Sequence, residues 1–495
     1  MNKYFIILAV LISSSCTTNN VARVPSEIPS RSVVVKRPEV TQRVLPNGLT
    51  VIFKEKSDLP LISGTLYLPT GSSSGNCGVP GLSAIAIDQM REGGTKSYSP
   101  DDLDVFLDQN AAVIESQQSE DFSQVSFSSL SEDFEPVFSA FEEVVLSPRF
   151  DKSRLSLTKR LMLEDVIRRK DDPGKMAGMS FSYVTYGEGS KWYDPVTLNS
   201  IEKLNISNLR KYYDTVVTPK GAYLVVMGDI DAEKFFAKID GKLSAWGSGS
   251  SKVKNSLCNL EAQNADANIK LLETLKSSKP TIYVLNRDFV QSSVVMGHAI
   301  PTISEIDVYK MAVFNRTFGS GSFDSLLFKE IRDKRGLAYG ISGGMNPSHY
   351  RGFFTVNLAT RSSAVSDAVQ AISEVMSDVL TEGFDQASVL GAIKSSVQAF
   401  VFKFEDPFFA ISRTPLIKLS GFPDDYDDEY LDQIQNLKES DFKEFANKFI
   451  HENHIKVVIV GSVTPEQIKE SLKDSDFQIC ELEFDQVPSL KKCYK

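Results

Sequence analysis

Histidines are the side chains best suited to bind a transition metal, and this chain has four of them. His451 and His454 are three residues apart in HENH, whereas two histidines that share one helical face with zinc stand four apart. His298 lies in an apolar stretch that predicts a strand, and His349 lies in a Pro/Ser-rich stretch that predicts a loop. We therefore interpret all four as structural side chains rather than metal ligands.

A glycine-rich stretch before a predicted helix, FGSGSFDS at 318–325, is a second candidate for chemistry. Glycines let the backbone approach a ligand closely, and the first N–H groups of a helix lack partners within it. We expect Gly319, Ser320, Gly321 and Ser322 to contact a substrate. The alternative is a structural turn, since glycine-rich turns before helices are common.

The number of cysteines suits an oxidising compartment. Five are present, and without Cys16 an even number remains: Cys77, Cys258, Cys480 and Cys493. Four cysteines allow three pairings, and the sequence does not choose among them. Their spacing does not match a zinc ribbon.

The elements that must position these residues occur twice. Residues 201–235 align without a gap on residues 434–468, an offset of 233. Each copy predicts a helix capped by a serine, Ser207 or Ser440, and then a buried strand that ends in glycine. The repeat places His451–His454 in a loop between helix and strand. A second landmark, Asp-Pro at Pro173, recurs at Pro407.

A repeat this long predicts two homologous domains, which suits a chain of 495 residues. Strand groups such as 61–68, 281–285 and 293–299 alternate with long helical patterns. We predict an α/β (α+β) fold in which each domain has a mostly antiparallel sheet with helices packed on one face. The expected segments are a signal peptide (1–15), a tether (16–39), a first domain (40–246), a linker (247–277), a second domain (278–475) and a tail (476–495).

The N-terminus resembles a bacterial lipoprotein signal. Lys3 precedes the apolar stretch 4–12, which is too short to span a bilayer, and small residues lead to Cys16. We expect Cys16 to be lipidated and the protein to be anchored on the periplasmic side of the cell envelope. The alternative is an ordinary cleaved secretory signal.

The charge balance argues against one class of partner. The net charge is −10, and the sequence contains no stripe of basic residues that could bind nucleic acid. An apolar content of 42% is ordinary for a globular protein.

Four segments together resemble the M16 (pitrilysin or insulinase) zinc-peptidase family. They are LPNGLTVIF (45–53), GVPGLSAIAIDQMREGGTKSYS (78–99), VVMGDID (225–231) and SGSFDSLLFKEIRDKRGLAYG (320–340). The similarity extends from about residue 40 to residue 470 in the family's order. It implies paired α/β domains, two pairs of which close around an extended peptide.

The zinc site of that family is degenerate here. Active members carry His-x-x-Glu-His after the Gly-Leu that matches Gly81 and Leu82, and a further glutamate downstream. The matching positions hold Ala84, Ile87, Asp88 and Asp165. The first two cannot bind a metal or exchange a proton, and two carboxylates alone do not make a zinc site. We therefore expect no metal on this chain and no peptidase activity from it alone.

A second set of family residues remains. Arg332 and Tyr339 match an arginine and a tyrosine that the family uses opposite the zinc. A tyrosine hydroxyl can donate to the oxyanion of a scissile carbonyl, and an arginine can orient the substrate backbone. The alternative to this active-site role is that both residues are structural, which the spacing of Arg332 and Tyr339 by itself would favour.

The resemblance thus implies a non-catalytic subunit of a heterodimeric zinc peptidase. Its partner would carry the zinc, and its substrate would be a peptide or an unfolded polypeptide. One alternative is a peptidase fold that has become an envelope binding or scaffold protein. Another is an independent enzyme, for which we find no new constellation of residues.

Overall fold

The computed structural model describes residues 35, 37–72, 75–188, 190, 192–247, 279–320 and 323–494. The predicted signal peptide with Cys16, nearly all of the tether and linker, and Gly321 and Ser322 lie outside the described residues.

The first domain is built on a six-stranded sheet with the strand order β1-β2-β6-β3-β5-β4. Neighbouring strands are antiparallel except for β2 and β6, which are parallel. The strands are β1 (Thr41–Val44), β2 (Thr50–Glu55), β3 (Leu61–Leu68), β4 (Val113–Gln118), β5 (Ser123–Leu130) and β6 (Tyr223–Gly228). The helices are α1 (Leu82–Glu92), α2 (Pro100–Gln109), α3 (Phe134–Leu146), α4 (Lys152–Arg168), α5 (Pro173–Tyr186), α6 (Leu198–Lys203), α7 (Ile206–Val216), α8 (Ala232–Ile239) and α9 (Lys242–Ala245).

The second domain is built on a seven-stranded sheet with the order β13-β12-β7-β11-β8-β10-β9. Its strands are β7 (Thr281–Asn286), β8 (Gln291–Ile300), β9 (Ile341–Pro347), β10 (Gly352–Arg361), β11 (Lys456–Gly461), β12 (Gln478–Phe484) and β13 (Pro488–Tyr494). Its α-helices are α10 (Val308–Phe318), α11 (Val365–Thr381), α12 (Gln386–Phe402), α13 (Pro407–Leu419), α14 (Tyr426–Gln435), α15 (Glu439–Phe449) and α16 (Pro465–Ser471), and a π-helical segment spans Phe328–Lys334. Strands β7, β11 and β12 are mutually parallel, and the other pairs are antiparallel. The predicted fold class is confirmed.

The predicted duplication is visible element by element. Helix α7, strand β6 and helix α8 of the first domain match α15, β11 and α16 of the second at the offset of 233. Both strands end at the predicted glycines, Gly228 and Gly461. An apolar core beneath each sheet packs against that domain's own helices.

The predicted serine caps are wrong, because both helices begin earlier. Asn205 caps α7, and its side-chain oxygen accepts a hydrogen bond from the N–H of Asn208 at 3.0 Å. In α15 the N–H of Lys438 donates to the carboxylate of Asp441 at 2.8 Å. Asn and Asp satisfy first-turn N–H groups at least as well as Ser, and they lie where each chain first becomes helical.

The two Asp-Pro landmarks begin equivalent helices. Asp172 caps α5 by accepting from the N–H groups of Gly174 and Lys175, and Pro173 occupies the first helical position. Asp406 caps α13 in the same manner, with Pro407 next. Proline suits this position because the N–H that it lacks has no helical partner.

These two helices are exchanged between the domains. Helix α5 packs on β8 and β11 of the second sheet, where Met176, Ala177 and Phe181 are buried. Helix α13 packs on β6 of the first sheet, where Ile411 lies among Ile52, Tyr67 and Val225. Each sheet therefore packs against helices of its own domain on one face. On the opposite face it packs against the exchanged helix of the other domain.

The domains also meet at equivalent hairpins. The β4–β5 turn carries Glu120 and Asp121, and the β9–β10 turn carries His349 and Arg351. Arg351 Nε donates to Glu120 Oε1 at 2.6 Å, and the N–H of His349 donates to Asp121 Oδ1 at 3.0 Å. Burial raises the pKa of Asp121 to about 6.

The C-terminal segment is not the tail that we expected. Strands β12 and β13 extend the second sheet beyond β7, because alternate apolar residues of β12 are buried against the domain. A disulfide joins Cys480 to Cys493 across this hairpin, and Cys77 is also disulfide-bonded. Among the described residues, no helix is long and apolar enough to cross a membrane.

Candidate functional site

The degenerate positions of the metal site lie on helices that pack together. Gly81 precedes α1 with φ +87°, a conformation that glycine adopts without strain. In α1 the side chain of Ala84 is exposed, whereas Ile87 is fully buried in the apolar core. The position that a general base would occupy thus contributes to packing instead.

The two aspartates at ligand positions have partners other than each other. The side-chain amide of Gln89 donates to Asp88 at 3.3 Å, and burial raises the pKa of Asp88. On α4, Asp165 accepts from Lys175 at 2.8 Å and from Arg169 at 3.2 Å. The bond from Lys175 is the main cause that lowers the pKa of Asp165. Asp165 is therefore an ion-pair partner of two cations.

These contacts do not fit a zinc ion. A zinc site needs three or four N, S or O donors directed at one point, and this set offers two separate carboxylates. Within the residues that the structure describes, no group of three or more His, Cys, Asp or Glu side chains could hold a metal.

Arg332 lies in a different setting, among three aromatic rings. Its guanidinium carbon is 4.4 Å from the ring centroid of Phe328, 5.2 Å from that of Tyr339 and 5.8 Å from that of Phe323. Phe323 and Phe328 contact each other edge to face at 5.0 Å. Arg332 and Phe328 lie on the π-helical segment, a rare form of helix that is frequent at functional sites.

Backbone geometry brings Tyr339 to Arg332. The π-helical segment ends in a reversal at Gly336, whose φ is +61°. There the N–H of Leu337 donates to the carbonyl of Ile331, and the N–H of Gly336 donates to that of Arg332, both at 3.0 Å. The bond from Gly336 to a carbonyl four residues earlier is the αL type of helix end, in which a residue with left-handed backbone, here glycine, follows the last turn. The two residues therefore become neighbours.

The exposed groups of this cluster are available to a ligand. The side chain of Tyr339 is 87% exposed and that of Phe323 is 75% exposed. No described carboxylate lies within ion-pair distance of Arg332, so the aromatic rings alone orient its charge. We call Phe323, Phe328, Arg332 and Tyr339 the Arg–Tyr cluster. It offers a guanidinium fork and a phenol hydroxyl, which are hydrogen-bond donors for carbonyl or oxyanion oxygens.

The glycine-rich loop beside the cluster has a structural role at its first residues. The N–H groups of Gly319 and Ser320 both donate to the carbonyl of Asn315, at 2.9 and 2.7 Å. A Cβ on Gly319 would approach the Gly343 backbone within 2.9 Å, so only glycine lets α10 end against β9. These two amides are committed to the end of the helix. Peptide binding by this loop stays a prediction.

Three of the four histidines contact one another. His298 is fully buried, its Nδ1 bonds the Ala299 carbonyl, and its Nε2 accepts from the N–H of His451. Burial lowers the pKa of His298 to about 4. His298 and His451 stack without converging on one point with His454.

Sequence reasoning missed the rings that orient Arg332. Phe328 precedes Arg332 by four residues, a spacing that places both side chains on one face of an α-helix. That signal was present. Nothing local indicated that Phe323 would fold back onto Phe328.

All four residues of the Arg–Tyr cluster belong to the second domain, whereas the degenerate metal-site positions belong to the first. No hydrogen bond or ion pair among the described residues joins Arg332 or Tyr339 to α1 or α4. Any site that combines these donors with a metal would therefore need a second source for the metal.

Comparison with known proteins gives two family models that match adjacent parts of the chain. The model described as Insulinase (Peptidase family M16) matches residues 51–179. The model described as Peptidase M16 inactive domain matches residues 203–396. Between them they cover more than half of the chain.

Relatives of this chain are similar over most of its length. A Helicobacter pylori protein named "Non-peptidase homolog YmxG" is 23% identical over 86% of this chain and 93% of its own. A Mycobacterium leprae protein named "Uncharacterized zinc protease ML0855" is 22% identical over 70% of this chain and 75% of its own. The crystal structure of a peptidase M16 inactive domain from Pseudomonas fluorescens has a TM-score of 0.73 at 22% identity, covering 86% of this chain and 98% of that one.

Proposed function

Because the chain belongs to the M16 peptidase family as an inactive homologue, we propose that it is the non-catalytic subunit of a heterodimeric zinc peptidase. In this proposal a second family member supplies the zinc and the general base. This chain supplies Arg332 and Tyr339 to a peptide or an unfolded polypeptide held between the two subunits.

One observation carries the proposal: the Arg–Tyr cluster is exposed and oriented, while the degenerate positions have other roles. Aromatic rings hold Arg332, with no described acid to neutralise it. By contrast, Ile87 is buried in the core and Asp165 is in ion pairs. A chain that only scaffolds other proteins has no need for an exposed tyrosine beside an unpaired guanidinium.

The proposed chemistry is electrostatic. The Tyr339 hydroxyl donates to the oxyanion that forms on the scissile carbonyl, and Arg332 donates to a neighbouring backbone carbonyl of the substrate. Both donors are most effective when they are fixed in place before the substrate arrives, because no reorganisation is then needed in the transition state. The ring contacts of Arg332 orient its guanidinium, and the reversal at Gly336 places Tyr339 beside it.

The test is reconstitution with a family member that carries His-x-x-Glu-His. Each chain is purified alone and then mixed in equal amounts, and cleavage of unfolded casein and zinc content are measured. We expect little cleavage by either chain alone, marked cleavage by the mixture, and zinc on the partner only. Two results would favour the scaffold alternative: no complex forms, or the partner is as active without this chain.

We also propose that Cys16 anchors the protein to a membrane of the cell envelope. Replacement of Cys16 by serine should release the protein to the soluble fraction or leave its signal uncleaved. If the unmodified protein is wholly soluble in the periplasm, the ordinary secretory signal is the better interpretation.

A further inference from the structure

A basic cleft opens on the first domain. A cavity of about 470 Å³ is lined by Lys96, Ser147, Pro148, Arg149 and Arg210. Three of these five side chains are cations and none is an acid, although the whole chain has a net charge of −10. Cavities lined by one sign of charge concentrate ligands of the opposite sign.

Backbone hydrogen bonds fix the walls of this cleft. The loop after α1 pairs with the loop after α3, because the N–H of Lys96 donates to the carbonyl of Ser147 at 3.2 Å. The N–H of Arg149 donates to the carbonyl of Gly94 at 2.9 Å. Lys96 and Arg149 are thereby held on two joined segments instead of two independent loops.

The third cation comes from α7 and is oriented. Arg210 Nη2 donates to the carbonyl of Arg149 at 2.7 Å, and its guanidinium carbon lies 5.4 Å from the ring centroid of Phe150. A guanidinium has five N–H donors, and this bond uses one of them. The others are available for the oxygens of an anion.

Nearby acids have other partners. Asp151 Oδ2 lies 3.7 Å from Arg149 Nε, and its Oδ1 also accepts from the N–H and the hydroxyl of Ser153 at the start of α4. Glu143 accepts from Ser97 and Thr95. Among the described residues, Lys96 and Arg210 have no ion pair. Two of the three cations of the cleft therefore have no ion-pair partner among the described residues, and the third, Arg149, faces Asp151 at 3.7 Å.

The C-terminal end of α3 is a further source of negative potential at this cleft, and its carbonyls are occupied. The Glu143 carbonyl accepts from Ser147, that of Val145 from the Tyr213 hydroxyl, and that of Ser147 from Lys96. Such bonds reduce the partial charge that a helix C-terminus would present to an anion.

We propose that this cleft binds a phosphate group, which is compact, multiply charged and rich in acceptor oxygens. Lys96, Arg149 and Arg210 donate to those oxygens from three sides, and Ser147 adds a hydroxyl at the rim. The phosphate can belong to a soluble compound or to an anionic phospholipid headgroup. The proposal is independent of the Arg–Tyr cluster and of any partner subunit.

The experiment uses the full chain with Cys16→Ser, so that no lipid anchor contributes to binding. Pyrophosphate is titrated by calorimetry at low salt. Binding to phosphatidylglycerol–phosphatidylcholine vesicles, with pure phosphatidylcholine as reference, is measured by flotation. The test variant combines Lys96→Gln with Arg149→Gln and keeps Arg210, which also supports the Arg149 carbonyl. The control combines Lys203→Gln with Lys234→Gln, two exposed lysines of the same domain outside the cleft, so the net charge changes equally.

We expect the test variant to bind at least about tenfold more weakly and the control to bind as before, because charge-assisted bonds to an anion are strong. Loss of pyrophosphate binding alone identifies a soluble phosphate ligand. Loss of vesicle binding alone identifies a phospholipid headgroup as the ligand. Loss of both kinds of binding shows that the cleft binds phosphate in either setting. The proposal is overturned if the unmodified cleft binds neither probe, or if both double variants weaken binding equally. Equal melting temperatures of the three proteins exclude misfolding.

Discussion

The guanidinium carbon of Arg332 lies 5.2 Å from the ring centroid of Tyr339, although the two residues are seven positions apart in the chain. The reversal at Gly336 creates this contact, and Phe328 and Phe323 complete the surroundings of the guanidinium. Arg332 and Tyr339 thus form one structural unit. Their effects on activity should not be additive, since residues in contact are generally coupled.

The first prediction concerns the lost metal site. Ile87→Glu would place a carboxylate in the apolar core and should destabilise the protein by on the order of 3 kcal/mol or more. Ala84→His, on the exposed face of the same helix, should change stability by within about 0.5 kcal/mol. Urea unfolding measures both. If Ile87→Glu lowers the free energy of unfolding no more than Ala84→His does, then Ile87 does not have the packing role in the core that we assign to it.

A second prediction concerns the exchanged helices. Phe181→Ala removes a ring that packs on the other domain's sheet, 5.5 Å from the ring of Phe353, and should cost about 3–5 kcal/mol. Ile411→Ala, at a buried position of the other exchanged helix, α13, should cost about 2–5 kcal/mol. Since these contacts join the domains, thermal unfolding of each variant should separate into two transitions.

The control for the exchanged helices is Leu161→Ala on α4, whose side chain is mostly exposed. Its effect should stay within about 0.5 kcal/mol. A cost below about 1 kcal/mol for both buried variants would mean that the exchanged helices contribute little to joining the domains.

Much of the fold could be predicted because its signals are local. The strand at Leu61–Leu68 and the repeat of α7, β6 and α8 follow from periodic apolar residues and terminal glycines. The exchange of α5 and α13 could not be predicted, because their apolar residues do not specify which sheet they cover. Strands β12 and β7 pair although they are almost 200 residues apart along the chain. Local sequence patterns do not specify such a partner, so this pairing was also not predicted.

The candidate site was predictable in part. The positions of Ala84, Ile87, Asp88 and Asp165 came from a motif, but the ion pairs of Asp165 needed the approach of Lys175 from another helix. The basic cleft was invisible in the sequence. Its cations are distributed over residues 96–210 and converge only through tertiary structure.

A third prediction concerns pH. Burial raises the pKa of Asp121 to about 6, from an ordinary value of 3.8. The folded state therefore holds the proton more tightly than the unfolded state, so this stabilisation is present below pH 4 and is lost as the pH rises through 6. Asp121→Asn keeps the acceptor for the His349 N–H and removes the half-buried charge. It should raise the melting temperature by a few degrees at pH 8 and hardly change it at pH 4.

The pH comparison must be made between variant and unmodified protein at each pH, because His298 acts in the opposite direction. Burial lowers the pKa of His298 to about 4, so its contribution to stability is lost as the pH falls from about 6.5 towards 4. An Asp121→Asn effect that is the same at pH 4 and pH 8 would show that the carboxylate does not titrate between them.

A fourth prediction concerns zinc content. The chain purified alone should contain much less than one zinc per molecule after mild chelation, since its donors do not converge. Elemental analysis measures this directly. About one tightly held zinc per chain would contradict our account of Asp88 and Asp165.

The central claim is that Arg332 and Tyr339 act on substrate in a complex with a zinc-bearing partner. Tyr339→Phe removes one hydroxyl, and the loss of one oxyanion donor typically lowers kcat by about 10²–10³. Arg332→Lys keeps the charge but loses the planar fork, so it should lower kcat/KM less than Arg332→Ala does. Tyr350→Phe, in the interdomain hairpin, is the matched control.

The most direct measurement is therefore kcat of the reconstituted complex with Tyr339→Phe, alongside the affinity between the subunits. Our account predicts a fall in kcat of about 10²–10³ with subunit affinity unchanged, and no such fall for Tyr350→Phe. A complex that assembles normally and retains kcat within about twofold of the unmodified complex would contradict it, and the scaffold function would then be the better explanation.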